Sequence, residues 1–359
     1  MELKLPTAKV NDFLKLCEYV KGNIETDEIQ KYIKVSIDFG VVTLTKTNTF
    51  QFVRYEFEHE TDDLECILLE SEIKKYFGIT SSAEVNILFK DKQVYLTDGT
   101  RLKYNFNNGT EKVEDFYSIP EMSETKLRLD KNFIQNVNSA KSFVGNDTLR
   151  PVFNYVYLSD NKIFATNAHA IYLRDIIAES DLIAMSPAEC KLISDFDYID
   201  YAVAGNFNVF SHKKVAYGFL TKDGAGKLDI SNFTKAFNPD SYIECSVDEV
   251  TSFCNAALTF SKGDSKIINN TCKMTLDGNG LELEFNDKEY GKSTDVSLDI
   301  ENNDLENFEL NFNSELMLNC LKSVRSDKFR LNTVSHLIYI WAKTDSGLLL
   351  LMTKIADVA

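Results

Sequence analysis

Thr166-Asn167-Ala168-His169 lies between two apolar stretches, Ile163 to Ala165 and Ile171 to Leu173, and reads as a tight bend that presents a histidine. An imidazole is the side chain best suited to moving protons near neutral pH. His169 or His212 beside an aspartate would serve as a general base. Such a base needs company: a nucleophile on a strained elbow, a glycine loop for phosphate, or paired metal ligands. The sequence carries none of these motifs. The four histidines, His59, His169, His212 and His336, are far apart and form no HxxxH pair. The seven cysteines, Cys17, Cys66, Cys190, Cys245, Cys254, Cys272 and Cys320, have no close spacing either, and their apolar neighbours predict reduced, mostly buried thiols. The expectation is therefore a chain with no catalytic residues, no metal and no cofactor, in which the histidine bend does something other than catalysis.

The other chemistry-bearing residues are basic. The chain has 359 residues and a net charge of -16, from 39 Lys and Arg against 55 Asp and Glu. An acidic total repels phosphate and argues against nucleic acid. A total does not say where charges lie, however, and an acidic outer surface with a basic inner face gives the same sum. Lys9, Lys15, Lys21, Lys74, Lys75, Lys131, Lys141, Lys191, Lys322 and Arg325 all fall on or beside predicted helices, off their apolar stripes. No apolar run approaches the length of a membrane span, and the amino terminus carries charges where a signal peptide has an apolar core. A cytoplasmic protein is expected.

The elements that position these residues repeat. With 5 Pro and 15 Gly there are no proline- or glycine-rich linkers, so domain boundaries must come from repetition. The first segment opens with a strand at Glu2 to Leu5 and Thr7 as helix N-cap. Val10, Phe13, Leu14 and Cys17 then share one helical face. Strands, a second helix over Glu70 to Phe77 and three more strands follow. The second segment repeats the order, with Asp130 as N-cap, a helix face of Phe133, Ile134 and Val137, the histidine hairpin, and a capping box at Ser186 to Glu189. The third does so again, with a capping box at Ser246 to Glu249 and Asn313 capping a last helix before three terminal strands. Three units of strand, helix, strands, helix, strands predict an α+β chain with domains at residues 1–122, 123–243 and 244–359.

Several stretches, in order, resemble the bacterial sliding clamp, the beta subunit of the replicative DNA polymerase III. Glu114-Asp115-Phe116-Tyr117-Ser118-Ile119-Pro120-Glu121 resembles that family's EDFP-x-x-P linker, with Tyr117 for proline. Leu149-Arg150-Pro151-Val152-Phe153-Asn154 resembles its TRPVLNG, and Ala165-Thr166-Asn167-Ala168-His169-Ala170-Ile171 its ATDGHRLA. Asp287 to Lys292 resembles the NPE-x-GE turn, and Asn311 to Leu321 the FN-x-x-YLLDAL helix start.

The resemblance implies three repeated clamp-type domains, each with two helices packed on antiparallel sheets. Two chains would close head to tail into a ring whose helices face double-stranded DNA, held by topology and by weak, sequence-independent phosphate contacts. The ten basic residues above become the candidate DNA-facing set. It also implies a groove that takes a short, partly apolar peptide from the polymerase and the clamp loader. The matching positions put Phe153, Thr166, Ala168, His169, Ala170 and Ile171 on one wall, with Leu350, Met352 and Pro239 opposite. The chain departs from the family at this groove. Asn167-Ala168-His169-Ala170 stands for Asp-Gly-His-Arg, and the tail runs on through Lys354 to Ala359. The alternative expectation is a clamp-fold protein that binds a partner without encircling DNA.

Overall fold

The computed structural model describes residues 2–20, 28–48, 50–90, 93–99, 102–108, 127–176, 183–220, 230–261, 270–278, 280–287, 292–300, 305–345 and 347–355. Lys21, the linker-like stretch at Glu114 to Glu121 and the tail beyond Ile355 lie outside them, as does most of the turn between Asp287 and Lys292.

Among the described residues the helices are α1 (Thr7–Cys17), α2 (Glu70–Phe77), α3 (Lys131–Lys141), α4 (Pro187–Ile193), the single turn α5 (Ser231–Thr234), α6 (Val247–Ser261) and α7 (Ser314–Ser323). None is long and apolar enough to cross a membrane. Apolar residues at three- and four-residue spacing bury one face of each longer helix. Val10, Phe13, Leu14 and Cys17 do so in α1, Ile73 and Phe77 in α2, and Phe133, Ile134, Val137 and Ala140 in α3. The Ser186 capping box opens α4 as predicted, with Ser186 Oγ accepting from the Glu189 N–H and Glu189 accepting from the Ser186 N–H. Asn313 caps α7 by accepting from the Glu315 and Leu316 N–H groups at 2.9 and 3.0 Å. The Thr7 cap is corrected. Thr7 is the first helical residue, Pro6 stands at the N-cap, and the Thr7 N–H donates to the Ala83 carbonyl at 2.9 Å. Proline's fixed φ already sets the extended entry, so no side-chain cap forms there.

The chain divides into two compact units. The first comprises Met1–Lys131 and Asp195–Thr221, the second Asn132–Ser194 and Lys222–Ala359. The first unit holds a four-stranded sheet in the order Glu2–Pro6, Glu84–Lys90, Gln93–Thr97, Lys103–Asn107. Its eight-stranded sheet runs Leu64–Leu69, Tyr32–Asp38, Val41–Thr47, Gln51–Glu58, Val215–Leu220, Phe207–His212, Ile199–Ala204, Leu127–Leu129. The second unit is built the same way. Its eight-stranded sheet runs Ile183–Met185, Val156–Ser159, Lys162–Thr166, Ala170–Asp175, Leu348–Thr353, Leu337–Trp341, Lys328–Val334, Ile243–Ser246, and its four-stranded sheet runs Lys292–Leu298, Gly280–Asp287, Thr271–Asp277, Phe308–Asn313. Among the described residues every strand pair is antiparallel, for example Tyr32–Asp38 with Val41–Thr47 and Ala170–Asp175 with Leu348–Thr353. Each eight-stranded sheet is two four-stranded halves, taken from consecutive predicted segments and sewn edge to edge, which removes two strand edges from solvent.

Two strands, Leu64–Leu69 and Ile183–Met185, are absent from the sequence-based plan. Each is short and apolar and runs into the helix that follows, so no change of period marks it. All seven cysteines are free and buried.

Candidate functional site

The histidine bend joins Lys162–Thr166 to Ala170–Asp175 in the second unit. Asn167 folds it: its Oδ1 accepts the His169 and Ala170 N–H groups at 3.0 and 2.8 Å, while Thr166 Oγ1 accepts the Ala168 N–H at 3.1 Å. Ala168 is held at φ +74°, a left-handed backbone that a side chain disfavours. The His169 carbonyl accepts from the Thr353 N–H at 2.8 Å, tying the bend to the last strand. Beyond it Ile171 pairs with Leu351 and Ala170 with Met352.

Phe153 comes from a short 3-10 turn, Pro151–Asn154. The loop before it is rigidly tied. Asp147 accepts from the backbone of Leu149 and Arg150 and from Arg150 Nε, and its own N–H donates to Asn154 Oδ1 at 2.8 Å. The Arg150 partnership holds the Asp147 carboxyl below the usual range. The Arg150 guanidinium lies 4.8 Å from the centre of the Phe153 ring.

These elements enclose a cleft of about 260 Å³. Of the residues expected to form a groove, Phe153, Thr166, Ala168, His169, Ile171 and Met352 line it. Arg150, Phe233, Leu337, Leu351 and Thr353 complete it, and none of these five was anticipated. Three expected residues stand elsewhere. Ala170 and Leu350 are buried, at 2% and 0% exposed, and Pro239 is exposed in a turn away from the lining. Strand alternation is the cause for the first two. Ala170 and Leu350 adjoin Ile171 and Leu351, which line the cleft, and alternation turns these two to the other side of the sheet, while Met352 still reaches the lining. Phe233 sits on α5, where its carbonyl accepts from the Tyr339 hydroxyl at 3.0 Å. Apolar walls with one guanidinium and one imidazole at the mouth suit a short peptide with apolar anchors, and burying each anchor contributes about 1.5–3 kcal/mol before ordering costs. Among the described residues no group of three His, Cys, Asp or Glu is arranged to hold a metal ion.

Of the ten candidate basic residues, four have a side-chain partner among the described residues. Lys15 lies 3.4 Å from Asp12, Lys74 donates to Glu18 at 3.0 Å, and Lys75 to Glu72 at 2.7 Å. These carboxylates raise the Lys74 and Lys75 pKa. Arg325 donates to Asn136 Oδ1 at 2.8 Å, linking the end of α7 to α3. Lys9, Lys131, Lys191 and Lys322 are exposed and Lys141 is half-buried. The helix α6 carries Asp248 and Glu249 and no basic residue. The helix surfaces are thus close to charge balance, on a chain that is strongly acidic as a whole.

No family model matches the sequence, and no curated protein matches it. Solved structures do match, end to end. The DNA polymerase sliding clamp of Bacillus subtilis aligns with a TM-score of 0.83 at 17% identity, covering 99% of both chains. The beta subunit from the DNA polymerase of Streptococcus pyogenes aligns at 0.80 and 16%, covering 99% of this chain and all (100%) of that one. The C. crescentus beta sliding clamp, crystallised with polyethylene glycol at a region assigned there to beta-motif tethering, aligns at 0.82 and 14%, covering 99% of both. The chain has the fold of the bacterial sliding clamps, an α+β fold of repeated clamp-type domains.

Proposed function

We propose that this clamp-fold chain works as a DNA sliding clamp: a homodimer of three-domain chains, divided near residues 122 and 243, closes around duplex DNA in the cytoplasm and tethers the replicative polymerase. The reading rests on the end-to-end fold match, which covers 99% of this chain and 99% of each of the Bacillus subtilis and C. crescentus clamp chains. The near-neutral helix surface supports it. A ring that slides needs phosphate contacts weak enough to break continually, and lysines already shared with Asp12, Glu18 and Glu72 provide weak ones. Topology rather than affinity then keeps the protein on DNA, and no catalytic group or cofactor is required. The Phe153 and His169 cleft is the docking point for a short peptide of the polymerase and of the clamp loader.

Light scattering tests the dimer, with a mass twice that of the chain expected. Loaded onto nicked circular DNA, the protein stays bound and leaves when the circle is cut. A monomer that never stays on circles, yet captures a polymerase-tail peptide, overturns the ring and favours a binding module.

A further inference from the structure

A second cleft, in the first unit, has no part in the function proposed above. It is open, about 810 Å³, and lies where the eight-stranded and four-stranded sheets of that unit present Phe39, Val41, Glu58, His59, Glu60 and Glu84, with Lys4 at its edge. Phe39 is the unusual feature. It forms the tip of the hairpin between Tyr32–Asp38 and Val41–Thr47, at φ +47°, followed by Gly40 at φ +75°. Left-handed backbone disfavours a bulky residue, and asparagine or glycine is the usual occupant of such a tip. Its side chain is 90% exposed, so nothing within the molecule offsets that choice. The tip is nonetheless held in place: the Phe39 N–H donates to Asp63 Oδ1 at 3.0 Å and the His59 N–H to the Gly40 carbonyl at 2.9 Å. Val41, beside it, is 39% exposed.

The rest of the cleft is acidic. Lys4 pairs with Glu84, whereas Glu58 and Glu60 are exposed and pair with no cation among the described residues. His59 Nε2 is buried against the cleft with no hydrogen-bond partner, its nearest acid being Glu84 Oε1 at 4.0 Å. An aromatic face beside two unpaired carboxylates is complementary to a guanidinium or ammonium group carried on an apolar stem.

We infer that this cleft docks a basic segment of a partner protein, laying an arginine or lysine side chain between the Phe39 ring and the carboxylates of Glu58 and Glu60. The site is separate from the Phe153 cleft and does not depend on ring formation.

The test uses the full chain and a fluorescein-labelled eight-residue peptide alternating arginine with serine, which offers no apolar anchor to the Phe153 cleft, read by anisotropy. Saturable binding is expected. Phe39→Asn keeps the charge and suits the left-handed tip, so it folds at least as well by thermal melting yet weakens binding about fivefold or more. The pair Glu58→Gln and Glu60→Gln weakens it similarly. Glu282→Gln with Glu284→Gln removes the same charge from the second unit's four-stranded sheet and leaves binding unchanged. The inference is overturned by an absence of saturable binding, by unchanged affinity in Phe39→Asn, or by an equal loss in the Glu282 and Glu284 control, which marks attraction to overall negative charge.

Discussion

In one eight-stranded sheet Ile171 pairs with Leu351; in the other, at the corresponding place, Phe52 pairs with Gly218. The surroundings are the same. Each pair follows a Thr-Asn bend, Thr166-Asn167 or Thr47-Asn48. Asn48 Oδ1 accepts the Phe50 and Gln51 N–H groups at 2.8 and 2.6 Å, as Asn167 does for His169 and Ala170. The Phe50 carbonyl accepts from the Leu220 N–H at 2.9 Å, as that of His169 does from Thr353. What differs is volume. Ile171 and Leu351 floor a cleft, whereas the Phe52 ring lies over Gly218 with Phe207 edge-on at 5.4 Å. The bend is therefore part of the scaffold, built twice. The docking chemistry lies in what packs beside it, above all Phe153 and Phe233.

The largest effect that would break this comparison is at Gly218. A Cβ there meets Phe52 Cε1 at 2.1 Å, so Gly218→Ala is expected to cost about 3 kcal/mol, with Phe52→Leu in the same chain recovering part of it. Wild-type melting of Gly218→Ala would mean that the sheet is not filled in this way. Next, Phe153→Ala should weaken capture of a polymerase-tail peptide about tenfold, or about 1.4 kcal/mol, with the mass by light scattering unchanged. Loss of the dimer instead would make Phe153 structural.

Asn48→Ala and Asn167→Ala each remove two side-chain hydrogen bonds and should each cost about 1 kcal/mol in urea titrations. Only Asn167→Ala should change peptide affinity; equal effects on binding would erase the distinction between the two bends. The smallest change expected is a gain. Ala168→Gly relieves a left-handed alanine worth about 1–2 kcal/mol of strain but adds freedom to the unfolded chain, leaving a net stabilisation of about 0.5–1 kcal/mol by chemical unfolding.

Periodicity made the longer helices and most strands legible, because each buries one face and exposes the other. The Phe153 and His169 side of the cleft was legible through local motifs whose residues are near one another in the chain. Leu351 was not. Leu348 to Met352 is apolar throughout and buried on both faces, so nothing in it marks that Leu351 and Met352 line the cleft and Leu350 does not. Phe233 lies on a single helical turn, too short to show a period. The available signal was the repeat of Thr-Asn at residues 47–48 and 166–167, which marks the two bends as equivalent. The partnering of Lys74 with Glu18, 56 residues apart in the chain, had no sequence signal at all.

The sealed thiols have a practical side. Burial raises the pKa of all seven, to about 12 for Cys66 and Cys245, so the folded chain presents no reactive thiolate at neutral pH. Leu149, 90% exposed beside Arg150, is an address for one deliberately placed sulfur. A maleimide dye attached there would report on peptide arrival, molecule by molecule, without first stripping the native cysteines from the core.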